Sequence, residues 1–187
     1  MRIAISGAQS TGKTTLAHRL VEALGNARVE PEPFRVLRER LQLVSGPHSM
    51  TPQQELELIR HNQNRLRALR GQETVIYDRC SLDALAHALV ARRLGNPAFD
   101  EDWMDTLRRE ADRALDVIDL LVIVRVEDGQ PLVPDGVRSE DESYRRMVDE
   151  EIAGLAADRE HAMEVRGDTE ERVSLLREKI ERMRSGA

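Results

Sequence analysis

The sequence predicts an α/β domain in which a parallel sheet carries helices on both faces, and three observations predict it. A short apolar strand at residues 2–6 runs straight into the loop Gly7-Ala8-Gln9-Ser10-Thr11-Gly12-Lys13-Thr14, and helical periodicity follows from Thr14 to Leu24. Leu120-Leu121-Val122-Ile123-Val124 is apolar on both faces, as a strand is when helices cover both sides of its sheet. Strand-like and helix-like segments alternate along the rest of the chain, with no internal repeat or low-complexity tract.

The loop fits the pattern G-x-x-x-x-G-K-[ST]. A strand that turns abruptly into a helix leaves several backbone N–H groups pointing into one concavity, where they bind phosphate oxygens. Gly7 and Gly12 allow backbone angles closed to other residues. Lys13 is expected to reach the β- and γ-phosphates, Thr14 to ligate Mg²⁺ through its hydroxyl, and Thr15 to touch the α-phosphate. The bland alternative, a glycine-rich turn with a solvated lysine, requires the full pattern and both its flanks to be coincidence.

The next elements follow from local signals. Gly25-Asn26 stops the first helix, and Ala27-Arg28-Val29-Glu30 reads as a brief second strand ended by Pro31-Glu32-Pro33. Apolar residues at 34, 37, 41 and 44 predict a helix beginning beside that proline pair. Thr51-Pro52-Gln53-Gln54-Glu55 is a strong helix start, with a threonine cap and proline in the first turn, and the stripe Leu56, Ile59, Leu66, Leu69 continues it. Thr74-Val75-Ile76-Tyr77 is a strand that leads into Asp78-Arg79, with Ser81 as the expected cap of a helix through Arg93. Trp103 to Leu115 is an amphipathic helix, residues 127–138 are broken by Gly and Pro, and a polar helix runs from Asp141 to Ala157. Ala162-Met163-Glu164-Val165 gives a last strand and Thr169 to Arg184 a terminal helix.

Composition narrows the class. Lys and Arg total 28 against 34 Asp and Glu, a formal net charge of −6, which is a poor footprint for a nucleic-acid partner. Only 3% of residues are aromatic, so a stacking surface for single strands is not expected either. Cys80 is alone, so no internal disulfide forms. A first strand at residue 2 leaves no room for a signal peptide, and the apolar run Val117–Val126 is far shorter than the roughly 20 residues that span a bilayer. The expectation is a soluble cytoplasmic protein without a membrane partner, a single domain over residues 1–187.

In such sheets ligands bind beyond the carboxyl ends of the strands. Residues 7–14, 32–35, 78–79, 127–138 and 167–168 should therefore converge. Glu32 and Asp78 give two carboxylates for two tasks, one to accept a proton from an attacking hydroxyl and one to order Mg²⁺. As alternatives, Glu32 is a turn residue between prolines and Asp78 a helix cap.

Val29-Glu30-Pro31-Glu32-Pro33 followed by Asp78-Arg79-Cys80-Ser81 resembles the deoxynucleoside kinase and thymidylate kinase group. Glu32-Pro33-Phe34-Arg35, with Asp135-Gly136-Val137-Arg138, is more similar still to the AAA-type ATPase family that includes the ribosylnicotinamide kinase domain of the NadR proteins. The resemblance spans residues 1 to about 175. It implies a P-loop NTPase three-layer αβα sandwich with a five-stranded parallel sheet in the order 2-3-1-4-5, and a short lid over about residues 127–146. By the same resemblance Glu32 is the acceptor-binding carboxylate and candidate base, and Arg35 and Arg79 contact the acceptor or its phosphate. Gln63, with Asn62 as its near alternative, stands where that group reads a base or ring. Arg138, and Arg145 or Arg146 beside it, look like lid arginines, the other reading being a charged helix face with pairs such as Glu142 to Arg146.

Two departures bear on activity. Few arginines occupy the lid segment, and no strand ends in the Asp-Asp or Asp-Glu pair that activates water in motor ATPases. Asp78 is the best Walker B equivalent, and its lack of an acidic neighbour favours transfer to a bound acceptor over hydrolysis. No Asn-Lys-x-Asp guanine-reading motif is present, and the five histidines show no metal-ligand spacing. The expected function is transfer of the γ-phosphoryl of ATP, with Mg²⁺, to a hydroxyl of a nucleoside-like or other small polar acceptor. The competing reading is an ATPase or nucleotide switch acting with a protein partner. Apolar helix faces at 82–94 leave either core or a homodimer surface open.

Overall fold

The structure is a computed structural model that describes residues 1–44, 46, 49–69, 73–134 and 139–186. Five strands, β1 (Arg2–Ser6), β2 (Ala27–Glu30), β3 (Thr74–Asp78), β4 (Leu120–Val124) and β5 (Ala162–Val165), form one sheet in the order β2-β3-β1-β4-β5. Every pairing is parallel, with Ile3 opposite Ile76 on one side and Leu120 on the other. The order and direction expected from the sequence are thus present.

Side-chain alternation on the central strands divides the core in two. Ile3, Ile5, Ile76, Leu120 and Val122 turn toward α1 (Lys13–Leu24) and α7 (Thr169–Ser185), against Leu16, Leu20, Leu176 and Ile180. Ala4, Val75, Tyr77, Leu121 and Ile123 turn the other way, toward α3 (Pro52–Ala68), α4 (Ser81–Arg93), α5 (Glu101–Leu115) and α6 (Glu142–Ala156). Both faces of β1, β3 and β4 are buried, which is why those strands read as apolar runs.

A third apolar cluster lies among the helices themselves. It joins Leu37 of α2 (Pro33–Leu41) to Ile59, Leu85, Phe99, Met104 and Leu107. Most apolar residues of 82–94 are core: Leu82, Leu85, Ala86, Ala88 and Val90 are almost fully buried, whereas Leu94 is exposed.

Caps set several boundaries. Thr51 starts α3 with a reciprocal capping box to Gln54, a feature worth about 1 kcal/mol. The expected cap at Ser81 is displaced by one residue: Cys80 is the N-cap of α4, Asp83 Oδ2 accepts from its N–H at 3.0 Å, and Ser81 is the first helical residue. The helix placed from Trp103 begins earlier, at Glu101, because Asp100 accepts from the Trp103 N–H at 2.9 Å. Among the described residues no helix is long and apolar enough to cross a membrane.

Candidate active site

The loop between β1 and α1 is shaped by its glycines. A Cβ on Gly7, at φ +152, would lie 2.2 Å from the Val124 carbonyl oxygen, so the end of β4 admits no side chain there. Gly12, at φ +86, turns the chain into α1 and offers that helix no side-chain cap. The first-turn amides of α1 are thus left to an anion. Lys13 is 5% exposed; its ammonium donates to Thr11 Oγ1 at 3.1 Å and to the Ala8 carbonyl. The Thr11 hydroxyl closes the turn onto Ala8 O at 3.0 Å.

Three buried arginines hold this loop from outside. Arg79 donates to Gly7 O at 2.9 Å, Arg145 to Gln9 O at 3.0 Å and Ser10 O at 3.5 Å, and Arg172 to Thr11 O at 2.9 Å. A trans peptide points its C=O and N–H in opposite directions. Drawing these carbonyls outward therefore turns the amides of residues 8, 10, 11 and 12 into the concavity. Each arginine has a carboxylate partner: Arg79 has Glu32 and Asp83, Arg145 has Glu142 at 3.1 Å, and Arg172 has Glu127 at 2.8 Å. Gly167 donates to the same Glu127 at 2.9 Å, tying the end of β5 to the loop's support, while Asp168 caps α7.

The far wall of the cleft is built at the ends of β2 and β3. Glu32, 5% exposed at the N-cap of α2, meets Arg79 Nε at 2.8 Å and Arg35 Nε at 3.3 Å. Arg79 adopts φ +66, a left-handed conformation unusual for a side-chain-bearing residue. Buried Arg65 over the Tyr77 ring fixes it, donating to Pro31 O at 2.7 Å and to the Arg79 carbonyl. Burial draws the Arg65 guanidinium down to about 10. Asp78 Oδ2 accepts from the Thr14 hydroxyl at 2.6 Å.

Two cavities result, and they share a wall. The first is a polar cleft lined by Gln9, Ser10, Gly12–Thr15, Asp78 and Arg35, with Leu132, Val133 and Ser139 across from the loop. The second, a largely apolar cavity, lies between α2, α3, α4 and α6 and includes Phe34, Met50, Leu58, Asn62 and His87. Glu32 and Arg79 line both.

The candidate residues are distributed accordingly. Gln9, Ser10, Gly12, Lys13, Thr14, Thr15, Glu32, Arg35, Asp78 and Arg79 line the polar cleft, with Gly7, Ala8 and Thr11 forming the loop's inner structure. Residues 132–134 and 139–140 line the cleft opposite the loop and are held to it, Ser10 Oγ donating to Val133 O at 3.3 Å and Gln9 to the Ser139 carbonyl. Arg138 lies outside the described residues.

Two expectations need correction. Gln63 does not face the cavity; its amide donates to Glu110 O at 2.8 Å and Glu110 Oε2 at 2.9 Å, binding α3 to α5. Its alternative, Asn62, does line the cavity, one position round the helix. Arg145 is neither a lid arginine nor a solvated one, since its buried guanidinium is spent on loop carbonyls; Arg146 is the exposed one, 3.4 Å from Glu142. Cys80 is buried and its thiol is pushed up to about 12, so it is not a nucleophile.

Sequence reasoning missed Arg65, Arg172, Asp83 and Glu55. An isolated arginine or carboxylate on a polar helix looks the same whether it meets water or a buried carbonyl. Mg²⁺ fits the oxygen pair Thr14–Asp78, because it takes one or two protein oxygens alongside phosphates and water. Among the described residues no group of three or more His, Cys, Asp or Glu could hold a metal.

An all-parallel sheet in this order, with a phosphate-binding loop after its central strand, defines a P-loop nucleoside triphosphate-binding fold of the kinase type. A family model described as an AAA domain matches residues 2–172, and the chain belongs to that family. A search of the curated proteins found no match. Among solved structures, the chain is similar to deoxyadenosine kinase from M. mycoides with bound dATP, with a TM-score of 0.75, 18% identity, and 97% of this chain and 99% of that chain covered. It is similar to the NadR protein in complex with NR, with a TM-score of 0.71, 19% identity, and 94% of this chain but 50% of that one covered. Thymidylate kinase from Candida albicans gives a TM-score of 0.70 and 14% identity, with 97% and 91% covered. The chain thus spans about half the length of the NadR chain.

Proposed function

We propose that this protein is a kinase that moves the γ-phosphoryl group of ATP to a hydroxyl of a small, nucleoside-like acceptor. The observation that carries this reading is the wall shared by the two cavities: Glu32 and Arg79 stand where a triphosphate in the polar cleft and an acceptor in the apolar cavity would meet. A hydrolase has no need of the second cavity. Similarity to kinases of nucleosides and nucleotides supports the same class.

Each residue then has a task. The loop amides and Lys13 cradle the phosphates, and Thr14 with Asp78 hold Mg²⁺, which when bound neutralises phosphate charge. Glu32, oriented by Arg79 and Arg35, accepts the proton of the acceptor hydroxyl. Asp78 lines only the polar cleft and is engaged by Thr14, which suits the metal rather than the base. Arg35 and Arg79 present cations to the phosphoryl group as charge redistributes. The segment over residues 127–146 serves as the lid, excluding water from the loop it is bonded to.

The test is acceptor-stimulated ADP release across nucleosides, ribosides and nucleotides. Turnover is expected to rise with one acceptor class, and Glu32→Gln to slow it on the order of 10²-fold while ATP affinity is retained. A basal rate unmoved by every acceptor but raised by a protein partner would overturn the kinase reading.

A further inference from the structure

Glu55, in the first turn of α3, is 2% exposed and lines the acceptor-side cavity beside Phe34, Met50 and Leu58. Its Oε2 is buried and has no hydrogen-bond partner among the described residues. The polar groups around it are committed elsewhere. Asn62, two turns along the same helix face, donates to Leu58 O at 3.1 Å and accepts from Arg65 at 2.9 Å. Asp83 accepts from Arg79 at 2.7 Å and from the Cys80 N–H at 3.0 Å, and His87 Nδ1 bonds the Tyr144 hydroxyl at 2.8 Å. A buried carboxyl with spare capacity in an apolar cavity costs stability unless something else uses it.

We propose that Glu55 reads the acceptor: from an apolar wall, its carboxyl hydrogen-bonds the edge of a flat, uncharged heterocycle that carries a donor beside an acceptor, as the amide-like edge of a nucleobase does. This rests on the kinase reading and names its substrate class. A carboxyl in its acid form offers one O–H donor and one carbonyl acceptor, which match such an edge, whereas a carboxylate offers acceptors only. Burial keeps Glu55 in the acid form at neutral pH by pushing its carboxyl up to about 8. The other titratable or charged groups lining the cavity are Glu32, Arg79, Cys80, Asp83, His87 and Tyr144. Burial draws His87 down to about 4 and pushes Cys80 up to about 12, so neither titrates near Glu55.

The experiment compares wild type with Glu55→Gln and Glu55→Leu, by initial rates against a panel of neutral nucleosides and one pyridinium riboside, between about pH 6 and pH 9. Wild type is expected to prefer a neutral heterocycle and to show an acceptor KM that rises as pH passes about 8. Glu55→Gln keeps a donor beside an acceptor, so its acceptor KM stays within about threefold at neutral pH and loses the alkaline rise. Glu55→Leu raises that KM by about tenfold or more, with the KM for ATP unmoved. An unchanged acceptor KM in Glu55→Leu, with normal wild-type turnover, overturns this inference alone. So does a preference for the cationic riboside with a tenfold loss in Glu55→Gln, which would make Glu55 a counter-ion. No acceptor-stimulated turnover in wild type removes the kinase reading and this inference together.

Discussion

At the scale of single residues, the site is governed by which charges are compensated. Glu32 and Asp83 converge on Arg79, so three buried charges share one another. Among the described residues Glu55 has no such partner, and its acid form carries a stability consequence separate from substrate. Its folded-state value of about 8 lies above the ordinary 4.5, so its contribution is fully present below about pH 4.5 and is lost as pH rises through about 8. Wild type should therefore lose thermal stability relative to Glu55→Gln across that window, by up to about 1.4 kcal/mol per pH unit, with the two curves parallel below it. Paired melting curves from pH 4 to pH 9 check this. Lys13 donates to Ala8 O and Thr11 Oγ1 of its own loop and lines the polar cleft. Lys13→Ala should leave the fold intact and abolish the rise in melting temperature on adding ATP, as measured by thermal shift; an unchanged rise would remove the loop from triphosphate binding.

At the scale of elements, α6 and α7 each send an arginine back to the loop between β1 and α1. The loop's shape is thus set by helices 130 or more residues away in sequence, as Arg145 to Gln9 and Arg172 to Thr11 show. Lysine at position 172 would keep the charge but not the fork that reaches Thr11 O and Glu127 together. Arg172→Lys should raise the KM for ATP by about tenfold and leave the acceptor KM within about twofold, because its contacts lie on the donor side only. Initial-rate measurements with each substrate varied in turn separate the two. The strands and most helices were readable because their signals are local: apolar runs, a threonine cap, glycines past helix ends. The arginine supports were not, since a carbonyl partner supplied by a distant loop leaves no trace in local pattern. Gln63 misled for the same reason, as periodicity gives a helix face but not the neighbouring helix, here α5, that claims it.

At the scale of the whole molecule, the strand order brings the loop after β1 next to the end of β3, and the end of β2 beside that. That adjacency was readable only through the family resemblance, since periodicity does not give strand order. It explains why residues 7–14, 32–35 and 78–79 meet although about 70 residues separate the first from the last. The apolar cavity forms where α2 and α3 pack beside α4. Its lining comes from four helices whose mutual positions no single stretch of sequence contains.

Arg79, held in a left-handed conformation between the two cavities, makes the halves of the cleft one thermodynamic unit. A ligand on either side that draws on its guanidinium changes what remains for the other, so the two affinities are coupled, and coupling is reciprocal. A non-hydrolysable ATP analogue should change the acceptor Kd by about fivefold or more, and the acceptor should change the analogue's Kd by the same factor. Calorimetric titrations in both orders measure the two factors, and Arg79→Lys should bring both toward one. Unequal factors would point to a third linked equilibrium, and factors of one in wild type would mean that each half-site fills without regard to the other.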